Sequence, residues 1–542
     1  MITPAAPTFG ATASSSPSSS TRTVVVLGAS YGGARAARVL AQNLPEGWRL
    51  VVIDRNSHFN HVYVFPRYTI LAKHAAKGFI PYTNLLDVPP ATPTSAKAKD
   101  ICGSPSRPLT PPMSPQSALA SLSSTAIPSS ASSSSSSSDS EGYGHSFIQG
   151  SITSLTTRSV SFVRPNASTR RGSSESIASI RSNLTYGCFD GPEETIHFDY
   201  CIYALGSGMP DPVNVWSEYP VAPRHIQEHP PSHGLGTKKG GIAWMQRQAE
   251  ELKSANTVLI VGGGALGIQY ATDLKDLYPH KNVTLLHSRT RLMPIYPVEM
   301  HIAIVERLAT LGVNVVLGER VMTAPDHAEH YDGKVKHLLT DKGRQFDADL
   351  VLFCTGQKPH SQILAALSPS SISPTTGRIR VTPHLQVSPR PTRPVTSRAN
   401  TLDRLSNITL RPVPPPSPPS SSGSARPSGE FADVFEEEEL GHIFAIGDCA
   451  ETSAIQAGHT AYWMGEVAAR NILRLIRRDE GGEEEELEVY KPGVPAIKVT
   501  LGLHHSVTSN HEGVSTSDKG AEDLQARLIW PSVGAGDLDD HA

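Results

Sequence analysis

Two stretches of the chain share one pattern: a short run of aliphatic residues, a glycine turn, then apolar positions spaced three and four apart. Val24-Val25-Val26-Leu27 runs into Gly28-Ala29-Ser30-Tyr31-Gly32-Gly33 and a helical pattern through Leu40. Val258-Leu259-Ile260-Val261 runs into Gly262-Gly263-Gly264-Ala265-Leu266-Gly267 and a helical pattern to about Leu277. An unbroken apolar run reads as a strand buried on both faces, and the 3.6 period reads as a helix covering it. A second apolar strand follows each unit, Leu50 to Ile53 and Val283 to Leu286. More strands are predicted at Phe147-Ile148, over the alternating Ser151 to Phe162, and at His197 to Ala204. The series continues at Val313 to Leu317, Ala348 to Phe353 and Ile443 to Ile446. Helices are predicted at Gly241 to Leu252, Glu299 to Leu311 and about Ile455 to Ile476. Strands alternating with helices predict an α/β chain with two doubly wound, Rossmann-like units.

The polar stretches divide this pattern. Ser and Pro dominate from Pro89 to Gly144, with an unbroken serine run at Ser132 to Ser138, and again from about Ser388 to Glu430. Such segments bury too little apolar surface to offset their ordering entropy and are expected to be disordered. The first twenty residues, mostly Ala, Ser, Thr and Pro, read as a disordered leader without the features of a signal peptide. Ile2 excludes myristoylation at a penultimate glycine. The segment from Tyr490 to Leu503 reads as a proline-broken, strand-like element, followed by a polar tail.

Charge and cysteines narrow the chemistry. A net charge of −3 over 542 residues gives no basic field for nucleic acid. The five cysteines are far apart, without a C-x-x-C or metal-ligand spacing. That argues against a redox disulfide, an iron–sulfur cluster or attached haem, and for a reducing, cytoplasmic setting. No apolar run is long enough for a membrane span.

Gly262, Gly264 and Gly267 complete the G-x-G-x-x-G dinucleotide fingerprint. The first glycine makes the turn, the second lets backbone approach a pyrophosphate, and the third brings helix and strand close. In the N-terminal copy Ser30 replaces the second glycine, and its hydroxyl is a donor for a phosphate. Asp54, ending the next strand, is placed to accept from a ribose hydroxyl of an adenosine. The equivalent strand of the second unit ends at His287-Ser288-Arg289. With no carboxylate there to repel it, a 2′-phosphate is tolerated, and Arg289 or Arg291 is its candidate partner, which favours NADPH or dual use over strict NADH use.

Two fingerprints and a late strand ending in Gly447-Asp448 resemble the two-dinucleotide-binding flavoproteins of the pyridine nucleotide-disulfide oxidoreductase kind. More closely, the chain resembles the apoptosis-inducing-factor-like, mitochondrion-associated (ferroptosis-suppressor) NAD(P)H:quinone oxidoreductases. The early residues that carry this are the Gly28 turn, Asp54 with Arg67, Phe79-Ile80-Pro81-Tyr82 and Ala204-Leu205-Gly206-Ser207. The Gly262 fingerprint, Leu285-Leu286-His287-Ser288 and Cys354-Thr355-Gly356 continue it. His384-Leu385-Gln386-Val387, Ala445-Ile446-Gly447-Asp448-Cys449 and Tyr490-Lys491-Pro492-Gly493 close the series. The resemblance implies an NAD(P)H-binding domain (241–387) inserted in an FAD domain (22–240 and 441–480). Around these stand the leader (1–21), the inserts (about 89–144 and 388–440) and the C-terminal element with its polar tail (487–542).

By that likeness Gly28, Ala29, Ser30, Tyr31, Gly32, Gly33, Asp54, Arg67, Ile148 and Asp448 hold FAD, and Gly262, Gly264, Gly267 and Arg289 hold NADPH or NADH. The helix after Asp448 would aim its positive end at the flavin N1/C2=O edge. Gln269 stands where the family commonly has a glutamate facing the nicotinamide. Gln269, Trp463 and Lys491 are the candidates for contact with the reacting groups, and Tyr462, Trp463 and Met464 for an apolar quinone wall.

A flavin reduced by NAD(P)H must pass its electrons on. Without a redox cysteine pair or a metal motif, the expected acceptor is a quinone or similar small oxidant, and no acid or base residue is demanded. The resemblance adds peripheral contact with a mitochondrial or lipid-droplet surface, although the C-terminal tail lacks the apolar, basic segment that docks some relatives. Two other readings share the fold: a type II NADH dehydrogenase, and a non-catalytic redox sensor of the apoptosis-inducing-factor type.

Overall fold

The structure is a computed structural model that describes residues 21–88, 144–165, 189, 191–216, 236–322, 336–389 and 440–541. The expected disordered leader and both Ser/Pro-rich inserts fall almost wholly outside the described residues.

The chain first lays down β1 (Arg22–Leu27), α1 (Tyr31–Asn43), β2 (Trp48–Asp54), β3 (Ser146–Gln149) and β4 (Tyr200–Tyr203). Helix α2 (Lys238–Ser254) leads to β5 (Thr257–Val261), α3 (Ala265–Leu277), β6 (Asn282–His287), α4 (Val298–Leu311), β7 (Asn314–Leu317) and β8 (Leu350–Phe353). The chain then returns through β9 (Ile443–Ala445) and α5 (Gly458–Asp479), and ends in β10 (Ile497–Thr500), β11 (Ser506–Asn510) and β12 (Gly513–Ser517).

Two parallel sheets result. One has the order β9-β4-β1-β2-β3 and the other β7-β6-β5-β8. The first joins strands from both ends of the chain, and every strand of the second lies between β4 and β9 in sequence. Val24 to Leu27 and Val258 to Ile260 are buried at the centres of their sheets. Each sheet has its own apolar core, as expected where helices cover both faces of a parallel sheet.

The helix after the first fingerprint, α1, packs unusually close to α5. A Cβ on Gly465 of α5 would stand 2.2 Å from the Gly32 carbonyl oxygen, and one on Gly32 of α1 would stand 2.7 Å from that of Ala461. Only glycines let these two helices cross at that distance.

The C-terminal tail is polar in composition and folded: β10, within the expected strand-like segment, forms with β11 and β12 an antiparallel sheet whose Val499 and Val507 join the second core. Beyond it Trp530 is fully buried, its indole N–H donating to the Lys77 carbonyl at 3.1 Å and the Arg527 guanidinium 4.1 Å above its ring. A few well-spaced apolar side chains suffice here because the tail docks on surfaces that other elements provide. Among the described residues, no helix is long and apolar enough to cross a membrane.

Candidate functional site

The two fingerprint turns are built alike. Gly28 and Gly262 adopt φ of +91° and +125°, conformations open to glycine and costly for other residues. A Cβ on Gly33 would stand 1.8 Å from the Gly28 oxygen, and one on Gly267 would stand 1.9 Å from the Gly262 oxygen. The third glycine thus presses its helix onto the first in both units.

The likeness extends to the strand ends. Asp54 accepts at 2.7 Å from the Ala29 N–H, and in the other unit His287 Nδ1 accepts at 3.1 Å from the Gly263 N–H. A backbone N–H only donates, so Nδ1 is the bare nitrogen and the neutral ring carries its proton on Nε2. His287 therefore does for the second turn what Asp54 does for the first, a role the sequence reading missed because it looked there only for a carboxylate. Burial, and then the nearby Arg289 charge, push the His287 pKa down. Burial pushes the Asp54 pKa up, opposed by the Ala29 and Asn56 N–H groups that donate to it.

Space for a ligand lies over the same turns. A Cβ on Gly264 would meet nothing within 4 Å, and the same holds for Gly206 and Gly356 at the ends of β4 and β8. Ser30, in the place of the second glycine, is exposed and makes no side-chain bond to its helix. Open backbone at a helix start is what a pyrophosphate needs, so the residues present fit a dinucleotide in each unit. A separate cavity of about 550 Å³ opens between α4 and the C-terminal sheet, and its lining (Arg307, Leu501, His505 and Asp518 among others) includes no fingerprint residue.

Asp448 is where the two units meet. Its Oδ2 accepts from Ser207 Oγ at 3.0 Å, just past β4, and from Gln357 Nε2 at 2.8 Å, just past β8. Ser207-Gly208 and Lys358-Pro359 also pair as a short antiparallel bridge. The carboxyl ends of three strands, two from one sheet and one from the other, so converge on one carboxylate. Ligands of open α/β sheets bind at such ends. Burial raises the Asp448 pKa, with Ser207, Arg378 and Gln357 opposing it.

Helix α5 begins at Gly458, three residues later than the periodicity suggests, and its first N–H donates to Tyr63 Oη at 2.6 Å. That tyrosine packs 5.3 Å from Tyr31, itself 4.7 Å from Phe59 (ring centroids). An aromatic group thus covers the helix end that the resemblance gives to the flavin edge.

Several expected residues take other roles. Arg67 is not available to a dinucleotide. Its guanidinium makes a two-pronged pair with Asp273 on α3, at 2.6 and 2.9 Å, and donates to the carbonyls of Gly502, Leu503 and Glu522. All five of its N–H groups are used. Arg291 turns back on its own loop to the carbonyls of Pro294 and Tyr296, which leaves Arg289 exposed at the end of β6. Tyr462 and Trp463 pack edge to face, ring centroids 5.5 Å apart, while Met464 turns away from them into the core. Tyr462 lies under the Arg35 guanidinium at 5.0 Å, and Met464 is buried with its sulfur accepting from the Gly447 N–H. Trp463 keeps a buried indole N–H without a partner.

Ile148 stands beside Ile53 in the ladder of the first sheet, in its core. Gln269 donates to Thr500 Oγ1 at 3.1 Å, so the C-terminal sheet holds its amide. Lys491 is exposed on the segment leading to β10.

Residues 22–392 match the family described as pyridine nucleotide-disulphide oxidoreductase. The chain belongs to this family. It is 33% identical over 516 residues to Fe-regulated protein 8 of Mycosarcoma maydis, covering 95% of each chain. It is 23% identical over 319 residues to human ferroptosis suppressor protein 1, covering 58% of this chain and 65% of that one. Its fold is shared with NDH2 from Plasmodium falciparum, solved in complex with NADH, at a TM-score of 0.53 and 10% identity over 94% of both chains. The chain is thus an NAD(P)H-dependent flavin oxidoreductase, with FAD and a nicotinamide dinucleotide as its cofactors.

Proposed function

We propose that this oxidoreductase passes electrons from NAD(P)H through FAD to a quinone or similar small acceptor. The observation that carries the reading is the convergence of both sheets on Asp448, through Ser207 from one and Gln357 from the other. That arrangement suits two dinucleotides laid end to end with their rings in contact. The acceptor follows from the cysteines: the family is named for disulfides, but this chain has no C-x-x-C. Of its five cysteines, Cys201, Cys354 and Cys449 are free, and burial raises the pKa of each thiol, which disfavours the reactive thiolate.

The roles follow from chemistry. The Gly28 to Gly33 turn and Asp54 hold the adenosine diphosphate half of FAD, and Asp448 accepts from a ribityl hydroxyl. Gly262, Gly264 and Gly267 hold the nicotinamide dinucleotide, and Arg289 its 2′-phosphate. Bound FAD supplies the step between a hydride donor and an electron acceptor. The protein orients the two rings and keeps water from between them.

Purified protein mixed with excess NADPH and a soluble quinone should consume many equivalents of nicotinamide. A single stoichiometric bleach of the flavin would remove the enzyme reading and favour a sensor. Arg289→Glu should raise KM for NADPH about tenfold or more, equivalent to about 1.4 kcal/mol, because it sets a carboxylate against the 2′-phosphate. KM for NADH should stay within about twofold. Equal effects on both nicotinamides would take Arg289 out of this role.

A further inference from the structure

Tyr31 lies in the turn given to FAD, but its hydroxyl forms a hydrogen-bonded pair with His61 that none of the roles above uses. Tyr31 Oη lies 2.9 Å from His61 Nδ1. The Tyr31 ring packs so closely on the first residue of α5 that a Cβ on Gly458 would stand 2.6 Å from it. Tyr63, whose hydroxyl takes the Gly458 N–H, is 44% exposed, and Tyr31 and His61 are half-buried beneath it. The pair therefore lies one ring below the surface, at the start of the helix that follows Asp448. Burial among these rings holds the His61 pKa down to about 4, so the imidazole is neutral at physiological pH. Burial is also the main reason the Tyr31 hydroxyl resists ionisation, with Tyr63 and then Asp448 adding to it.

Reducing a quinone to a quinol takes two electrons and two protons. A hydride from NAD(P)H brings two electrons and one proton, so a second proton must come from water or from a protein group. We propose that Tyr31 gives this proton to a quinone oxygen and that His61 reloads it. This rests on the quinone reading above. As the electron pair reaches the quinone, its oxygen takes the proton and the Tyr31 O–H bond breaks. With His61 as its Nδ1–H tautomer, the phenolic oxygen takes the Nδ1 proton while Nε2 takes one from water. The pair ends neutral with the imidazole proton on Nε2, the hydroxide formed leaves to the bulk, and exchange with water returns the proton to Nδ1 before the next turnover. Because a free tyrosinate is disfavoured at this site, the two transfers are coupled. Tyr31 is the catalytic donor and His61 a positioning residue that restores it.

The test uses the full-length flavoprotein with excess NADPH and two acceptors: a short-chain benzoquinone, which takes protons, and ferricyanide, which takes electrons alone. Tyr31→Phe keeps the ring and removes the proton. Its quinone rate, divided by the ferricyanide rate of the same protein, should fall about a hundredfold from wild type. His61→Gln should lower the same ratio about tenfold, and the wild-type quinone rate should be slower in D₂O. A ratio within about twofold of wild type for Tyr31→Phe overturns the proposal. So does a parallel loss with both acceptors alongside a lower flavin absorbance, since the pair would then only hold the fold. Wild-type protein that reduces ferricyanide but no quinone overturns the quinone reading itself, and this inference with it.

Discussion

Asp448→Ala is expected to yield a folded protein that has lost most of its FAD, and with it nearly all NADPH turnover. The carboxylate is partly buried, and Ser207 and Gln357 are its donors. Truncation removes the proposed partner of the ribityl chain, while the exposed Gln357 amide still donates to Ser207 Oγ. A hydrogen bond to a charged group contributes about 1.5–3 kcal/mol. Its loss predicts FAD binding weaker by about ten- to a hundredfold. Asp448→Asn separates charge from shape, since one amide oxygen still accepts from Ser207 or Gln357, and it should lose less flavin. The ratio of absorbance at 450 nm to that at 280 nm, measured after gel filtration, reads both variants. Flavin retained by the alanine variant at the wild-type level would show that the carboxylate only ties the two sheets together.

What the sequence made legible follows the range of each interaction. The strands of both sheets could be read because a parallel strand buried on both faces is apolar throughout, as in Val24 to Leu27 and Val258 to Val261. The glycines could be read because a positive φ or a close backbone approach excludes other residues, as at Gly28, Gly33, Gly262 and Gly267. Partners brought together by the fold could not. Arg67 resembles a cofactor ligand locally, yet its partner Asp273 lies 206 positions away on a helix of the other unit. Gln357 and Ser207 meet on Asp448 only once the two sheets face each other. The packing of the tail could not be read because Val499, Val507 and Trp530 are thinly spread, and their burial depends on surfaces elsewhere. Met464 parts from Tyr462 and Trp463 for a local reason: three consecutive helical residues cannot all share one face.

Arg67→Leu should cost about 3–5 kcal/mol of stability, the range for removing one partner from a buried ion pair. Arg67 is 1% exposed and Asp273 is fully buried, so the variant strands a carboxylate in the interior. Burial already raises the Asp273 pKa, and Arg67 is the group that opposes this. The loss should also loosen the tail, because the carbonyls of Gly502, Leu503 and Glu522 lose their donor. Arg67→Lys should fall between, since an ammonium has three donors and no planar fork to match five acceptors. Arg67→Leu combined with Asp273→Leu should recover a large part of the loss, as apolar groups replace the pair and no charge is left unpaired. Urea unfolding measures the energies, and limited trypsin digestion reports release of the residues beyond Pro495. If Arg67 held FAD instead, its removal would lower flavin content while the urea midpoint of the apoprotein stayed unchanged, and Asp273→Leu would leave the flavin in place. A double variant no more stable than Arg67→Leu would likewise mean that the carbonyls of the C-terminal segment, and not the carboxylate, are what Arg67 is needed for.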